Sequence, residues 1–213
     1  MMSYIDGYQP GEHFGASLTI SDVNGDGLDD VIIGAPHYTD YDDPSIGYEM
    51  GAVYVYYQSQ LGEYKRQKPD ELILRGHSVG GRFGHAVASL GDVNGDQFND
   101  VAVGAPYEGS GVVYVFHGSW TGLKRRASQK ILPQATLSTF GASFGVGSVD
   151  IDGNQYQDLI VGAYQSDTVV YLPARPVVHI HVDMQFVPKL IDLENRTCSG
   201  WYLCFISSKI IHV

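Results

Sequence analysis

The chain has 213 residues, with 13 Lys and Arg against 24 Asp and Glu, a formal charge of −11. That balance excludes a phosphate-backbone partner such as nucleic acid, which needs clustered cations. An apolar fraction of 44% marks a globular chain, and 26 Gly with 15 Tyr favour strands and tight turns over long helices.

No stretch approaches the roughly 20 apolar residues that span a bilayer, so no membrane insertion and no transmembrane helix are expected. Residues Met1 to Asp6 have neither a charged start nor an apolar run, so no signal peptide is expected. Cys198 and Cys204 are the only cysteines, and the first 197 residues are expected to fold without disulfides.

Taken in chain order, the sequence repeats itself. Phe14-Gly15 precedes an acidic loop, Asp22-Val-Asn24-Gly-Asp26-Gly-Leu28-Asp29-Asp30, which runs through Val-Ile-Ile into Gly34-Ala35-Pro36. An insertion follows, containing Asp40-Tyr-Asp-Asp43 and read as a solvated loop. Strands are expected at Ala52–Tyr56 and, shorter, at Glu71–Leu74. Phe83-Gly84 opens the second copy, with the loop Asp92-Val-Asn94-Gly-Asp96-Gln-Phe98-Asn-Asp100 and then Gly104-Ala105-Pro106. Strands are expected at Val112–Phe116 and Gln129–Leu132. The third copy has Asp150-Ile-Asp152-Gly-Asn154-Gln-Tyr156-Gln-Asp158, then Gly162-Ala163-Tyr164 and a strand at Thr168–Leu172. Its Phe-Gly is taken as Phe144-Gly145, 6 residues before the loop, against 8 and 9 in the other copies, with Phe140-Gly141 as the alternative at 10.

The distance from the first Asp to the Gly of Gly-Ala is 12 residues in all three copies, which start 70 and then 58 residues apart. Constant spacing within a unit and variable spacing between units is the mark of repeats with loop insertions. About four strands in each unit, with an acidic loop joining the first to the second, describe radially repeated sheets. The expected fold class is all-β, a partial β-propeller of three four-stranded blades.

Oxygen-bearing side chains occupy loop positions 1, 3, 5 and 9. They are Asp22, Asn24, Asp26 and Asp30; Asp92, Asn94, Asp96 and Asp100; and Asp150, Asp152, Asn154 and Asp158. Position 7 (Leu28, Phe98 or Tyr156) is assigned a carbonyl ligand. Ca²⁺ takes six to eight oxygens from such sources, whereas Mg²⁺ demands near-ideal octahedral geometry and keeps its waters. Zn²⁺ prefers Cys and His. Gly25, Gly95 and Gly153 stand where the backbone must curl. Three structural Ca²⁺ ions are therefore expected. An EF-hand is rejected, because it needs Glu at position 12, where Ile33, Val103 and Val161 stand.

Phe-Gly, the acidic loop and Gly-Ala-Pro together resemble the FG-GAP repeat of integrin α subunits. The segment from Asp150 through Ser166-Asp-Thr-Val-Val-Tyr-Leu-Pro-Ala-Arg-Pro-Val-Val178 looks like the last blade of such a propeller. Val182 through Cys198 resembles the first strands of the immunoglobulin-like thigh domain. The resemblance implies a cell-adhesion receptor subunit, extracellular at the plasma membrane, that pairs with an integrin β subunit. It implies a matrix or counter-receptor ligand, bound through blades that precede these three in a seven-bladed family propeller. It divides the chain into blades at 1–175 and the start of a thigh-like β-sandwich at 176–213. The stretch from Ser199 to Val213 fits the family poorly, and the chain is read as a fragment, a truncated gene model or an alternative transcript.

Other patterns carry less. Gly76-His77-Ser78-Val79-Gly80 matches a nucleophile elbow, but the next repeat follows where a helix must stand, so no catalytic residue is assigned and no enzyme is expected. The alternatives are another extracellular, lectin-like FG-GAP module and the accessory propeller of a phospholipase-type enzyme. His179 and His181 alternate along a strand without a third ligand. Lys124-Arg125-Arg126 reads as a solvated turn. Asn195-Arg-Thr197 is an N-glycosylation sequon, relevant in a secreted chain.

Overall fold

The structure, a computed structural model, describes residues 5–41, 48–58, 64–65, 73–145 and 149–177. The chain divides into two compact units, Met1–Arg175 and Pro176–Val213. All elements named below belong to the first. The segment expected to be thigh-like is outside the described residues from 178 onward, and with it Asn195, His179, His181 and both cysteines.

Three antiparallel sheets follow one another along the chain. The first holds β1 (Ser17–Ser21), β2 (Asp30–Ala35), β3 (Ala52–Gln58), β4 (Tyr64–Lys65) and β5 (Ile73–Arg75). The second holds β6 (Ala86–Gly91), β7 (Asp100–Ala105), β8 (Val112–Phe116) and β9 (Gln129–Ile131). The third holds β10 (Ser143–Phe144), β11 (Leu159–Ala163) and β12 (Thr168–Leu172). The expectation of four strands per unit is met in the second sheet. In the first, β4 and β5 both pair with β3. In the third, three strands lie among the described residues. Helix is confined there to one 3₁₀ turn at Tyr164–Ser166.

The middle strands β2, β3, β7 and β8 are near-continuous apolar runs rather than alternating ones, because both faces of each sheet are covered. One core lies between the first two sheets. Val53, Val55 and Ile32 meet Phe83, Val103 and Tyr114 there. A second lies between the last two sheets, where Val113 and Val115 meet Phe140, Leu159 and Val161.

The Phe-Gly element explains this stacking and corrects one expectation. Phe83 bridges to Gly51 of the first sheet, and Phe140 bridges to Gly111 of the second in the same way. The residue before each Phe and the Gly after it are left-handed: His13 and Gly15, Arg82 and Gly84, Thr139 and Gly141. The third anchor is therefore Phe140-Gly141, not Phe144-Gly145. Phe144 lies within β10, and Phe140 is the ring driven between sheets, 1% exposed. The anchor-to-loop spacing of 8, 9 and 10 residues is absorbed in the second copy by a register shift between Ser89 and Gly91.

Within each blade the anchor Gly donates its N–H to the Gly of Gly-Ala-Pro or its counterpart: Gly15 to Gly34 at 3.0 Å, Gly84 to Gly104 at 3.0 Å, and Gly141 to Gly162 at 3.2 Å. Between blades the same glycines approach closely. A Cβ on Gly34 would strike the oxygen of Gly84, and one on Gly104 would strike that of Gly141.

Two further expectations change. Asp40 is not solvated: its side chain is 9% exposed and pairs with Arg75 at 3.0 Å. Ser78 lies in a turn closed by the Gly81 N–H donating to its carbonyl at 3.0 Å. No α-helix follows it, so the geometry of a nucleophile elbow is absent.

Candidate metal centre

Each acidic loop joins the first strand of a sheet to the second. The position-1 carboxylate organises it. Asp22 Oδ1 accepts from the Gly25 N–H at 2.7 Å and the Asp26 N–H at 3.3 Å, and its Oδ2 accepts from the Gly27 N–H at 2.9 Å. Asp92 repeats this with Gly95, Asp96 and Gln97 at 2.7, 3.0 and 2.7 Å. Asp150 repeats it with Gly153, Asn154 and Gln155 at 2.7, 3.0 and 2.7 Å.

Positions 3 and 5 tie to each other and to position 7. Asn24 Nδ2 donates to Asp26 Oδ2 at 3.2 Å, and the Leu28 N–H donates to Asp26 Oδ1 at 2.9 Å. Asn94, Asp96 and Phe98 reproduce the pattern at 3.0 and 3.1 Å. Asp152, Asn154 and Tyr156 do so with the types at positions 3 and 5 exchanged, at 3.1 and 2.7 Å. The chain curls at positions 4 and 6, both left-handed. Gly25, Gly95 and Gly153 take position 4 with φ of 72°, 74° and 75°. Gly27, Gln97 and Gln155 take position 6 with φ of 82°, 74° and 72°.

The position-9 carboxylate is the buried end of each loop. Asp30 and Asp100 are 0% exposed and Asp158 is 4% exposed. Each has two backbone N–H partners. Asp30 accepts from Val23 at 3.2 Å and Gln58 at 3.1 Å. Asp100 accepts from Val93 at 3.0 Å and Gly118 at 2.9 Å. Asp158 accepts from Ile151 and Ala174, both at 2.8 Å, and from the Tyr171 hydroxyl at 2.9 Å. Burial pushes the Asp30 carboxyl up to about 6, against the pull of the Gln58 and Val23 N–H groups. Burial raises Asp100 as well. The Ala174 N–H, first among several donors, holds Asp158 below the usual carboxylate range.

Each loop ties the residues named from the sequence at positions 1, 3 and 5 to one another and buries position 9, but carboxylate oxygens close enough to share one ion are gathered, among the described residues, only in the third loop. In the third loop, carboxylate oxygens of Asp150, Asp152 and Asp158 all lie within 4.8 Å of one another. Among the described residues, the ion pairs are His37–Glu49, Arg75–Asp40, Arg82–Glu49 and Lys130–Glu108, so none draws on a loop carboxylate. Carboxylates gathered outside these ion pairs, as in the third loop, are the electrostatic setting a divalent ion reverses. An all-oxygen donor set suits a hard cation.

Sequence reasoning missed the partners of position 9. Gln58, Gly118 and Ala174 stand at or just past the ends of β3, β8 and β12 and contribute only an N–H. Their side chains share nothing, so composition carries no signal. Their place after the third strand of each sheet is the only regularity.

The FG-GAP repeat family matches residues 14–56 and 83–116. The chain is 47% identical over 205 residues to "Integrin alpha-PS2" of Drosophila melanogaster, covering 91% of this chain and 14% of that protein. It is 40% identical over 199 residues to "Integrin alpha-5" of Xenopus laevis, covering 91% and 19%. It is 41% identical over 198 residues to "Integrin alpha-7" of Homo sapiens, covering 92% and 16%. The chain therefore spans less than a fifth of the length of these relatives. Their names designate integrin subunits, and none designates an enzyme. The repeated blades, the anchors between them and these relatives place the chain in the integrin α family.

Proposed function

We propose that the chain contributes three propeller blades, within residues 1–175, to an integrin α subunit, with residues 176–213 opening the thigh-like domain. Each blade loop holds one structural Ca²⁺. The ligands are Asp22, Asn24, Asp26, the Leu28 carbonyl and Asp30; Asp92, Asn94, Asp96, the Phe98 carbonyl and Asp100; and Asp150, Asp152, Asn154, the Tyr156 carbonyl and Asp158. The observation that carries this reading is the threefold recurrence of one hydrogen-bonded loop around a buried position-9 carboxylate. That carboxylate already holds two backbone N–H groups in each loop, and its charge, costly in a buried place, is what a bound ion offsets.

The ion supplies charge neutralisation and ties the exposed end of each loop to the start of its second strand. The chain catalyses nothing in this account. In this reading it works in cell adhesion, outside the plasma membrane, with an integrin β subunit and a matrix or counter-receptor protein. Among the described residues no helix is long and apolar enough to cross a membrane.

Thermal unfolding of the full chain in calcium and in chelator tests the reading. Binding at 100 times Kd stabilises by about 2.7 kcal/mol per site, so calcium is expected to raise the Tm by several degrees. Equal Tm values in calcium and chelator would overturn it.

A further inference from the structure

The first and second loops touch. The Phe98 ring, at position 7 of the second loop, lies over Gly25, at position 4 of the first. A Cβ on Gly25 would come within 2.8 Å of Phe98 Cε1. A second connection runs through the backbone. The Gly118 N–H donates to Asp100 Oδ1 at 2.9 Å. The next N–H, of Ser119, donates to the Val23 carbonyl at 3.2 Å. The Val23 N–H in turn donates to Asp30 Oδ2 at 3.2 Å. The buried carboxylates of two successive loops are thus joined through one residue of the first loop and the turn after β8. Gly118 is packed too closely for substitution, since a Cβ would lie 2.5 Å from the Asn99 oxygen and 2.7 Å from the Val23 oxygen.

We propose that the first two loops bind Ca²⁺ cooperatively, each ion ordering a structure the other site shares. The proposal rests on the calcium reading above. An ion in the first loop fixes Asp30 and Val23. Val23 then fixes the Ser119 N–H, and with it the Gly118 N–H that orients Asp100. An ion in the second loop fixes the Phe98 backbone, so that its ring closes over Gly25. Whichever ion binds second meets a loop already partly ordered and loses less conformational entropy. Gly118, Ser119 and the Phe98 ring are positioning residues. They act on the ion through the ligands they hold.

Calcium titration calorimetry on the full chain tests this, with Asp22→Asn to disable the first site and Asp92→Asn to disable the second. Linkage requires the two effects to be reciprocal. Disabling either site is expected to weaken the other by about 5-fold or more, the lower end of ordinary coupling, and by the same factor in both directions. Ser119→Pro removes the N–H that reaches the Val23 carbonyl and touches no loop ligand, and is expected to reduce the coupling while both sites still bind. Removing one site and leaving the other's affinity within about twofold, or undiminished coupling in Ser119→Pro, would overturn the proposal but not the calcium sites. No calcium binding by the folded parent would overturn both.

Discussion

The main-chain oxygen of Gly84 occupies the place where Gly34 would carry a side chain. One residue belongs to the Phe-Gly anchor of the second blade and the other to the Gly-Ala-Pro of the first. Gly104 stands to Gly141 in the same way. The two glycines of the repeat motif, 19, 20 and 21 residues apart in the three copies, are thus halves of a contact between neighbouring blades.

Gly34→Ala and Gly104→Ala are therefore expected to force the blades apart and cost about 1–3 kcal/mol each, as overpacking does. Gly162→Ala is the control. Its Cβ would meet the Oγ of Ser143, a side-chain end within its own blade that can rotate away. Denaturant unfolding of the three variants checks this. A Gly162→Ala cost equal to the others would contradict it.

Position 6 of the loops carries a different strain. Gly27 takes φ of 82° freely, whereas Gln97 and Gln155 hold φ of 74° and 72° against the preference of L residues. The Asp92 carboxylate keeps Gln97 there by accepting its N–H at 2.7 Å. The left-handed conformation costs an ordinary residue about 1–2 kcal/mol, and glycine's greater unfolded-state freedom returns about half of that. Gln97→Gly is expected to stabilise the protein by about 0.5–1 kcal/mol in denaturant titration, and Gln97→Val to destabilise it. A destabilising Gln97→Gly would show that the glutamine side chain itself holds the loop.

The seam between the first two blades is expected to weaken in acid. His85 stands edge-on to Tyr107, with ring centroids 6.1 Å apart. Burial, with the nearby Arg82 and His37 charges, holds its pKa below 6.5. Burial likewise lowers His37, which stacks on His13 at 4.0 Å and faces Glu49 at 3.5 Å. The unfolded chain takes these protons at the ordinary histidine value and the folded chain resists them. The stability is therefore whole above 6.5 and is lost as the pH falls through it. Asp30, raised to about 6, works the opposite way in the metal-free protein, so calcium is held saturating. The Tm difference between about pH 7.5 and about pH 5.5 is expected to shrink in His85→Gln. An unchanged difference would show that His85 titrates freely.

The blades and the loops were legible in the sequence for different reasons. Val112–Phe116 and Thr168–Leu172 form strands over the expected residues, the first buried throughout and the second exposed at alternate positions, because β-branched and aromatic side chains suit a pleated surface. The loops were legible because position 1 needs a carboxylate to collect three N–H groups and position 4 needs a left-handed residue. The third anchor was not. Phe140-Gly141 and Phe144-Gly145 are the same dipeptide, and only the bridge to Gly111 separates them. Asp40 was misread because its partner Arg75 lies 35 residues away, beyond any local pattern. The inter-loop bonds of Gly118 and Ser119 are made by backbone groups, which every residue but proline carries.

The central claim is that three loops hold three ions. Calcium titration calorimetry of the full chain, against an Asp22→Ala, Asp92→Ala, Asp150→Ala triple variant, tests it most directly. The expected result is a stoichiometry of about three Ca²⁺ per chain for the parent and none for the variant. A folded parent that binds no calcium would contradict the account and reduce the loops to turns.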